Sequence, residues 1–154
     1  MSVVTFHADV VWSGESVRSI AEIRGKQVII DEPQSLGGTD QGPNPVEILL
    51  ASLGGCINVL VTGFAQLHGV ELKASKVYVE GDLARDGFME VLRGRIPENV
   101  RPGFQEIRYR IDIDSPSHPA KIQELIDHVE QVCPIKDTLG GVPVVPVKEV
   151  ASQN

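Results

Sequence analysis

Asn44-Pro45-Val46-Glu47 opens a run of 18 uncharged residues, Ile48 to Ala65, and the reading of that run decides the fold. Asn44 is a good N-cap, Pro45 suits the first helical position, and Glu47 completes an Asn-x-x-Glu capping box. The pattern predicts one long helix from there to about His68, with Gly69 as its stop. By length the helix is also a candidate membrane span. Gly54, Gly55, Gly63, Ser52, Asn58 and Thr62 dilute its hydropathy, and no second span or flanking basic cluster accompanies it. It is therefore expected to be buried on all sides within protein. One sheet and one further helix barely supply that cover, so a second copy of the chain is expected to complete it.

On the N-terminal side the chain reads as strands. Phe6 to Trp12 is β-rich, Ser13 to Ser16 is a turn, and Val17 to Arg24 alternates between two faces. Gly25-Lys26 reads as a tight turn into Gln27 to Asp31, and Glu32 to Pro43 as a loop. Beyond the helix, Glu71 to Leu83 reads as a strand. Arg85 to Gly103 reads as irregular, with a short strand around Met89 to Leu92. In Gln105 to Asp114, Ile107, Tyr109, Ile111 and Ile113 alternate with Glu106, Arg108, Arg110 and Asp112, the cleanest strand in the chain. A second helix opens at Ser117-His118-Pro119 and carries Ile122, Leu125, Ile126, Val129 and Val132 as its apolar stripe. Val142 to Val150 is read as a last strand. Strands, helix, strands, helix is an α+β order, and 154 residues fit one domain, 1–154, with its own core.

The net charge of -7 argues against nucleic acid and acidic membrane surfaces, which reward clustered Lys and Arg. The first eleven residues lack a signal-peptide pattern, and two cysteines in an ordinary chain fit a reducing cytoplasm. No metal-ligand spacing involves His7, His68, His118 or His128, for which surface or capping roles are expected, and no G-x-S-x-G elbow is present.

The cysteines carry the chemistry. A thiolate attacks a peroxide, becomes a sulfenic acid and is rescued by a second thiol as a disulfide. This requires a nearby cation and a pocket. Cys56 lies mid-helix after Gly54-Gly55, with Leu49, Ser52, Val59 and Leu60 on its side, so its pocket is expected to be mainly apolar and its cation to come from elsewhere. Cys133 precedes Pro134, a good start for a new helical turn, which would set the sulfur at a helix N-terminus. Two buried, inert cysteines are the plain alternative. Nine residues at about 100° each put Glu47 on the opposite face from Cys56, and capping explains it without catalysis.

Gly37-Gly38-Thr39-Asp40-Gln41-Gly42-Pro43-Asn44-Pro45-Val46-Glu47, running on to Cys56, resembles the signature of the OsmC/Ohr family. Arg101-Pro102-Gly103-Phe104 before a strand and the later Cys133-Pro134 also match. The resemblance implies an intertwined α+β homodimer: N-terminal antiparallel strands, a long buried central helix, a second sheet portion and a C-terminal helix, with active sites between the subunits. It implies reduction of organic hydroperoxides without metal, flavin or other cofactor, using a dithiol reductant such as a lipoyl protein. Cys56 then corresponds to the peroxidatic cysteine and Cys133 to the resolving one. The family's catalytic arginine belongs to the N-terminal strands or their turn, which offers Arg18 first and Arg24 second. Hydroperoxide-resistance members place a glutamate directly after the Asn-Pro pair. Here that position is Val46, with Glu47 one residue later, as in the YhfA-like branch.

The resulting expectation is a cytoplasmic, dimeric, thiol-dependent peroxidase active in oxidative-stress defence, with Glu47 and Arg24 as supporting candidates. The rivals are a non-enzymatic dimer binding a small apolar ligand, favoured by Val46, and a redox sensor passing its disulfide to a partner.

Overall fold

The computed structural model describes residues 1–146. The chain divides into two compact units, Met1–Leu49 and the part from Leu50 onward, and the boundary falls inside the first helix.

The N-terminal unit is a three-stranded antiparallel sheet of β1 (Asp9–Trp12), β2 (Ser19–Ile23) and β3 (Lys26–Ile30), in that order. Ile23 pairs with Lys26, so the two-residue loop is Arg24-Gly25 rather than Gly25-Lys26. Both loop residues have positive φ, 51° and 74°, the backbone that matches the twist of a two-residue hairpin. Arg24 thereby lies in the hairpin turn.

The loop from Glu32 to Pro43 folds back on the end of β3. Asp31, 1% exposed, accepts hydrogen bonds from the Thr39 hydroxyl at 2.5 Å and from the N–H groups of Glu32, Thr39 and Gln41. A Cβ on Gly42 would lie 2.5 Å from the Ile29 carbonyl oxygen, so the close return of the chain requires glycine there. The Thr39 hydroxyl first, then the Gln41, Glu32 and Thr39 N–H groups, hold the Asp31 carboxyl down from 3.8 to about 2 against the opposing effect of burial. A depressed carboxylate stabilises the folded state above its unfolded value and loses that effect as pH falls through the folded one. The stability advantage of the parent over Asp31→Asn should therefore be full at neutral pH, shrink below pH 3.8 and vanish near pH 2. Parallel pH-dependent unfolding curves of the two proteins would refute this.

From the same loop α1 (Pro45–Phe64) starts as its capping box predicts. Glu47 N–H donates to Asn44 Oδ1 at 2.9 Å, and Asn44 N–H donates to Glu47 Oε2 at 2.8 Å. The helix ends at Phe64, four residues before His68, and turns lead to Gly69, whose φ is 62°.

The second unit pairs β4 (Ala74–Leu83) with β5 (Phe104–Asp114), antiparallel over almost their whole length, and adds the short parallel β6 (Val144–Pro146). The last strand read from sequence as Val142 to Val150 is thus seen over three residues, and 147–150 lie outside the described residues. On β5, Ile107 and Tyr109 are buried, as their alternation predicts, and Phe104 is buried at the strand's start. Its other face carries Arg108, held by Glu80, Asp82 and Glu106. α1 lies on this sheet through Gly54, where a Cβ would sit 3.1 Å from Val79, and Ser75 Oγ donates to Asn58 Oδ1 at 2.6 Å.

The segment read as irregular with a strand at Met89 to Leu92 is instead a helix, α2 (Arg85–Leu92). Gly87 accounts for the difference: it is buried, and its missing side chain lets Val100 and Arg101 pack within 3.0–3.1 Å of the vacant Cβ position. Glycine there serves close packing instead of breaking the helix. α3 (Pro119–Val132) follows, with His118 as N-cap accepting from Ala120 N–H at 3.2 Å, and then α4 (Pro134–Thr138). Leu125 and Val129 of the predicted stripe are buried, whereas Val132 is 44% exposed.

α1 is covered within this chain on one side only. It is not buried on all sides, since 17% of its apolar window is buried in this chain. Leu53, Gly54, Ile57 and Val61 form the covered side. Ala51, Ser52, Gly55, Val59 and Thr62 are exposed, with Val59 at 68%. A single sheet has only one face to offer a helix, so one stripe is covered and the rest stays open.

Candidate active site

Two elements bring the cysteines together. Cys56 projects from the middle of α1, where helical hydrogen bonding fixes its backbone. Cys133 occupies a corner, being at once the C-cap of α3 and the N-cap of α4, with φ -68° and ψ 110°. Pro134 forces that corner, because its fixed φ suits a first helical position and its missing N–H prevents α3 from continuing. Leu125 and Val129 anchor α3 in the core, and the corner meets α1 with the sulfurs 3.4 Å apart. Both are free thiols. Cys133 is buried at 2% exposure and Cys56 is half-buried.

A disulfide spans about 2.05 Å, so the pair is in contact but unbonded, and a small shift of the corner closes it. Burial pushes the Cys56 thiol up from its ordinary value; the Ile135 N–H opposes this, and the neighbouring Cys133 thiol adds to the rise. None of these influences is cationic. The helical turn begun by Pro134 thus directs a backbone N–H at Cys56, where the sequence reading assigned the turn's effect to Cys133.

Arg18 Nη2 pairs with Glu15 Oε2 at 2.6 Å, and its Nε donates to Ser13 Oγ at 3.3 Å, within the N-terminal unit. Arg24 sits in the hairpin turn. Glu47 is engaged in the capping box. The pocket expected around Cys56 is open in the single chain, since Leu49, Ser52 and Val59 beside it are exposed. A hollow of about 370 Å³ exists at α2, but its lining is charged, with Arg85, Asp86, Met89, Glu90 and Arg93. Among the described residues no cluster of three or more His, Cys, Asp or Glu is arranged to hold a metal ion.

Sequence reading missed two clusters. His68 and His128 are not separate surface or capping residues, because their rings share a 2.9 Å hydrogen bond and Phe64 stacks on His128 at 4.7 Å. Tyr109, set among isoleucines on β5, donates to Glu130 Oε1 at 2.7 Å and accepts from Lys136 Nζ at 3.3 Å. The available signal was spacing: Glu130 and Lys136 stand three residues before and three after Cys133.

The sequence profile of the family described as OsmC-like protein matches residues 38–148, most of the chain. The chain belongs to the OsmC family. Among curated proteins no relative matches it. Solved structures similar to this OsmC-like chain include an OsmC-like protein from Mycoplasma pneumoniae, at 22% identity and a TM-score of 0.75, covering 94% of this chain and 96% of that one. An organic hydroperoxide resistance protein OsmC from Legionella pneumophila aligns at 18% identity and a TM-score of 0.64, covering 96% and 100%. An organic hydroperoxide resistance protein from Elizabethkingia anophelis aligns at 18% identity and a TM-score of 0.68, covering 96% and 98%. These likenesses establish the α+β fold.

Proposed function

We propose that this OsmC-like protein is a thiol-dependent peroxidase that reduces organic hydroperoxides. The observation that carries the reading is the 3.4 Å contact between Cys56 and Cys133. Two similar folds belong to organic hydroperoxide resistance proteins, which agrees with it.

Cys56 thiolate attacks the terminal peroxide oxygen; the O–O bond breaks and the alkoxide leaves as an alcohol after protonation. The sulfenic acid then condenses with Cys133, forming the S–S bond and releasing water. An external dithiol, of the lipoyl type, restores both thiols by exchange. Because burial holds the Cys56 thiol in its neutral form, a cation has to favour the thiolate. We assign that role to Arg18, which must exchange its Glu15 partner to take it up. Glu47 is not assigned to orient it, because its carboxylate accepts from Asn44 N–H in the capping box.

The open side of α1 is assigned to a second copy of the chain. An uncharged helical face with Val59 at 68% exposure is costly in water, and open space around Gly55 and Gly63 admits close backbone approach. On β1 and β3, Val10, Val11, Trp12, Val28 and Ile29 are likewise exposed. Sedimentation equilibrium at micromolar concentration should give a dimer, weakened by Val59→Asp. A stable monomer would defeat this assignment.

The functional test is consumption of cumene hydroperoxide with dithiothreitol or dihydrolipoamide, together with intact mass after mild peroxide treatment. Steady turnover and loss of two hydrogens are expected. Oxidation without turnover would favour a redox sensor in a reducing cytoplasm, and unreactive thiols would favour a binding protein.

A further inference from the structure

Disulfide closure needs the sulfurs to approach from 3.4 Å to about 2.05 Å. Cys56 is held by the backbone ladder of a 20-residue helix, so most of the movement belongs to the Cys133 corner. That corner is tied from both sides to one side chain of the sheet. Tyr109, 1% exposed, carries its hydroxyl from the middle of β5 to the junction of α3 and α4. It donates to Glu130 Oε1 at 2.7 Å on the α3 arm. It accepts from Lys136 Nζ at 3.3 Å on the α4 arm, and the same ammonium stands 5.5 Å over its ring. Burial and the Glu130 bond keep the phenol protonated.

The bonds have a clear geometric logic. Pro134 keeps the corner residue extended and no side chain caps the new turn, so the angle between the two helical arms is left to tertiary contacts. A hydroxyl anchored in the sheet core and bonded to residues three positions away on each side fixes the angle between the two helices. Because a displacement of about 1 Å at a reacting group costs up to about a hundredfold in rate, such an anchor governs how often Cys133 meets Cys56.

We propose that Tyr109, gripped by Glu130 and Lys136, is a positioning residue for closure of the Cys56–Cys133 disulfide, holding the Cys133 corner at attack distance. The proposal rests on the reading of these cysteines as a redox pair, but not on peroxide as the oxidant.

The test uses oxidised glutathione and no peroxide. Cys56 thiolate attacks one sulfur of oxidised glutathione, the glutathione S–S bond breaks, one glutathione leaves as thiolate and is protonated, and a mixed disulfide remains at Cys56. Cys133 thiolate then attacks the Cys56 sulfur, the Cys56–glutathione bond breaks, and glutathione thiolate leaves with the electron pair and takes up the proton that Cys133 released. Acid quenching and intact mass follow each species in the full-length protein, with melting temperature as a parallel readout. In Tyr109→Phe and Glu130→Ala, closure should slow about tenfold and the mixed disulfide accumulate, while its formation at Cys56 keeps the parent rate. Glu130→Gln retains a carbonyl acceptor for the hydroxyl and should restore closure to within about twofold. Lys136→Met provides a variant away from the buried phenol and should slow closure by a smaller factor. The proposal is overturned if Tyr109→Phe and Glu130→Ala close at the parent rate whatever their melting temperature, if Glu130→Gln is as slow as Glu130→Ala, or if the parent never closes. A parent that closes normally yet leaves cumene hydroperoxide untouched would sink the peroxidase reading alone.

Discussion

Replacing Cys56 by serine is expected to reduce cumene hydroperoxide consumption to background, a loss of at least about a thousandfold, because the hydroxyl is not ionised at neutral pH and cannot accept the peroxide oxygen as a thiolate does. Cys133→Ser should behave differently. Its Cys56 still attacks once, but the sulfenic acid has no neighbour at 3.4 Å to condense with. It waits for external thiol and over-oxidises to sulfinic acid when peroxide is in excess. A dimedone adduct at Cys56 should therefore be abundant in Cys133→Ser and scarce in the parent. Burial holds the Cys56 thiol neutral and the Ile135 N–H only partly offsets this, so the rate of attack should rise with pH. Arg18→Ala should shift that rise to more alkaline pH. If Cys56→Ser retains the parent rate, the proposed chemistry is wrong.

Gly38→Ala should lower stability by about 3 kcal/mol or more in chemical denaturation, the size associated with a forced backbone rearrangement. A Cβ at Gly38 would lie 1.8 Å from the Glu32 carbonyl oxygen and 2.4 Å from its carbon. Both are main-chain atoms, so no side-chain rotation relieves the clash. The backbone cannot move alone, because Gly38 N–H bonds Pro33 O at 3.2 Å and Asp40 N–H bonds Glu32 O at 3.1 Å. Gly103→Ala is the natural control: nothing stands within 4 Å of its added carbon, and a change within about 0.5 kcal/mol is expected. Equal unfolding midpoints for Gly38→Ala and the parent would rule out the tight loop.

That loop gives the family signature a physical meaning. Gly37 ends a short 3-10 turn with φ 87°, Gly38 permits close approach to Glu32 and Gly42 to Ile29 of β3, and Thr39 and Gln41 bond Asp31. Asn44 and Glu47 then start α1. Most of the motif preceding Cys56 thus builds the entrance to the helix. This explains how the chain retains the signature with Val46 where hydroperoxide-resistance members carry a glutamate.

The capping box, the alternation on β5 and the proline after Cys133 were legible from residue order, because each acts within a few residues through backbone hydrogen bonding or a fixed φ. α2 was not, because Gly87 breaks helices by local propensity and is accepted only where another segment packs against it. How much of α1 a single chain covers was not legible for a related reason: hydropathy reports what a helix needs covered, while the arrangement of sheets decides how much one chain covers. The 3.4 Å sulfur contact and the Tyr109 grip on the Cys133 corner depend on where α1, β5 and the α3–α4 junction meet. Residues 77 positions apart become neighbours only through that packing, which no local periodicity encodes.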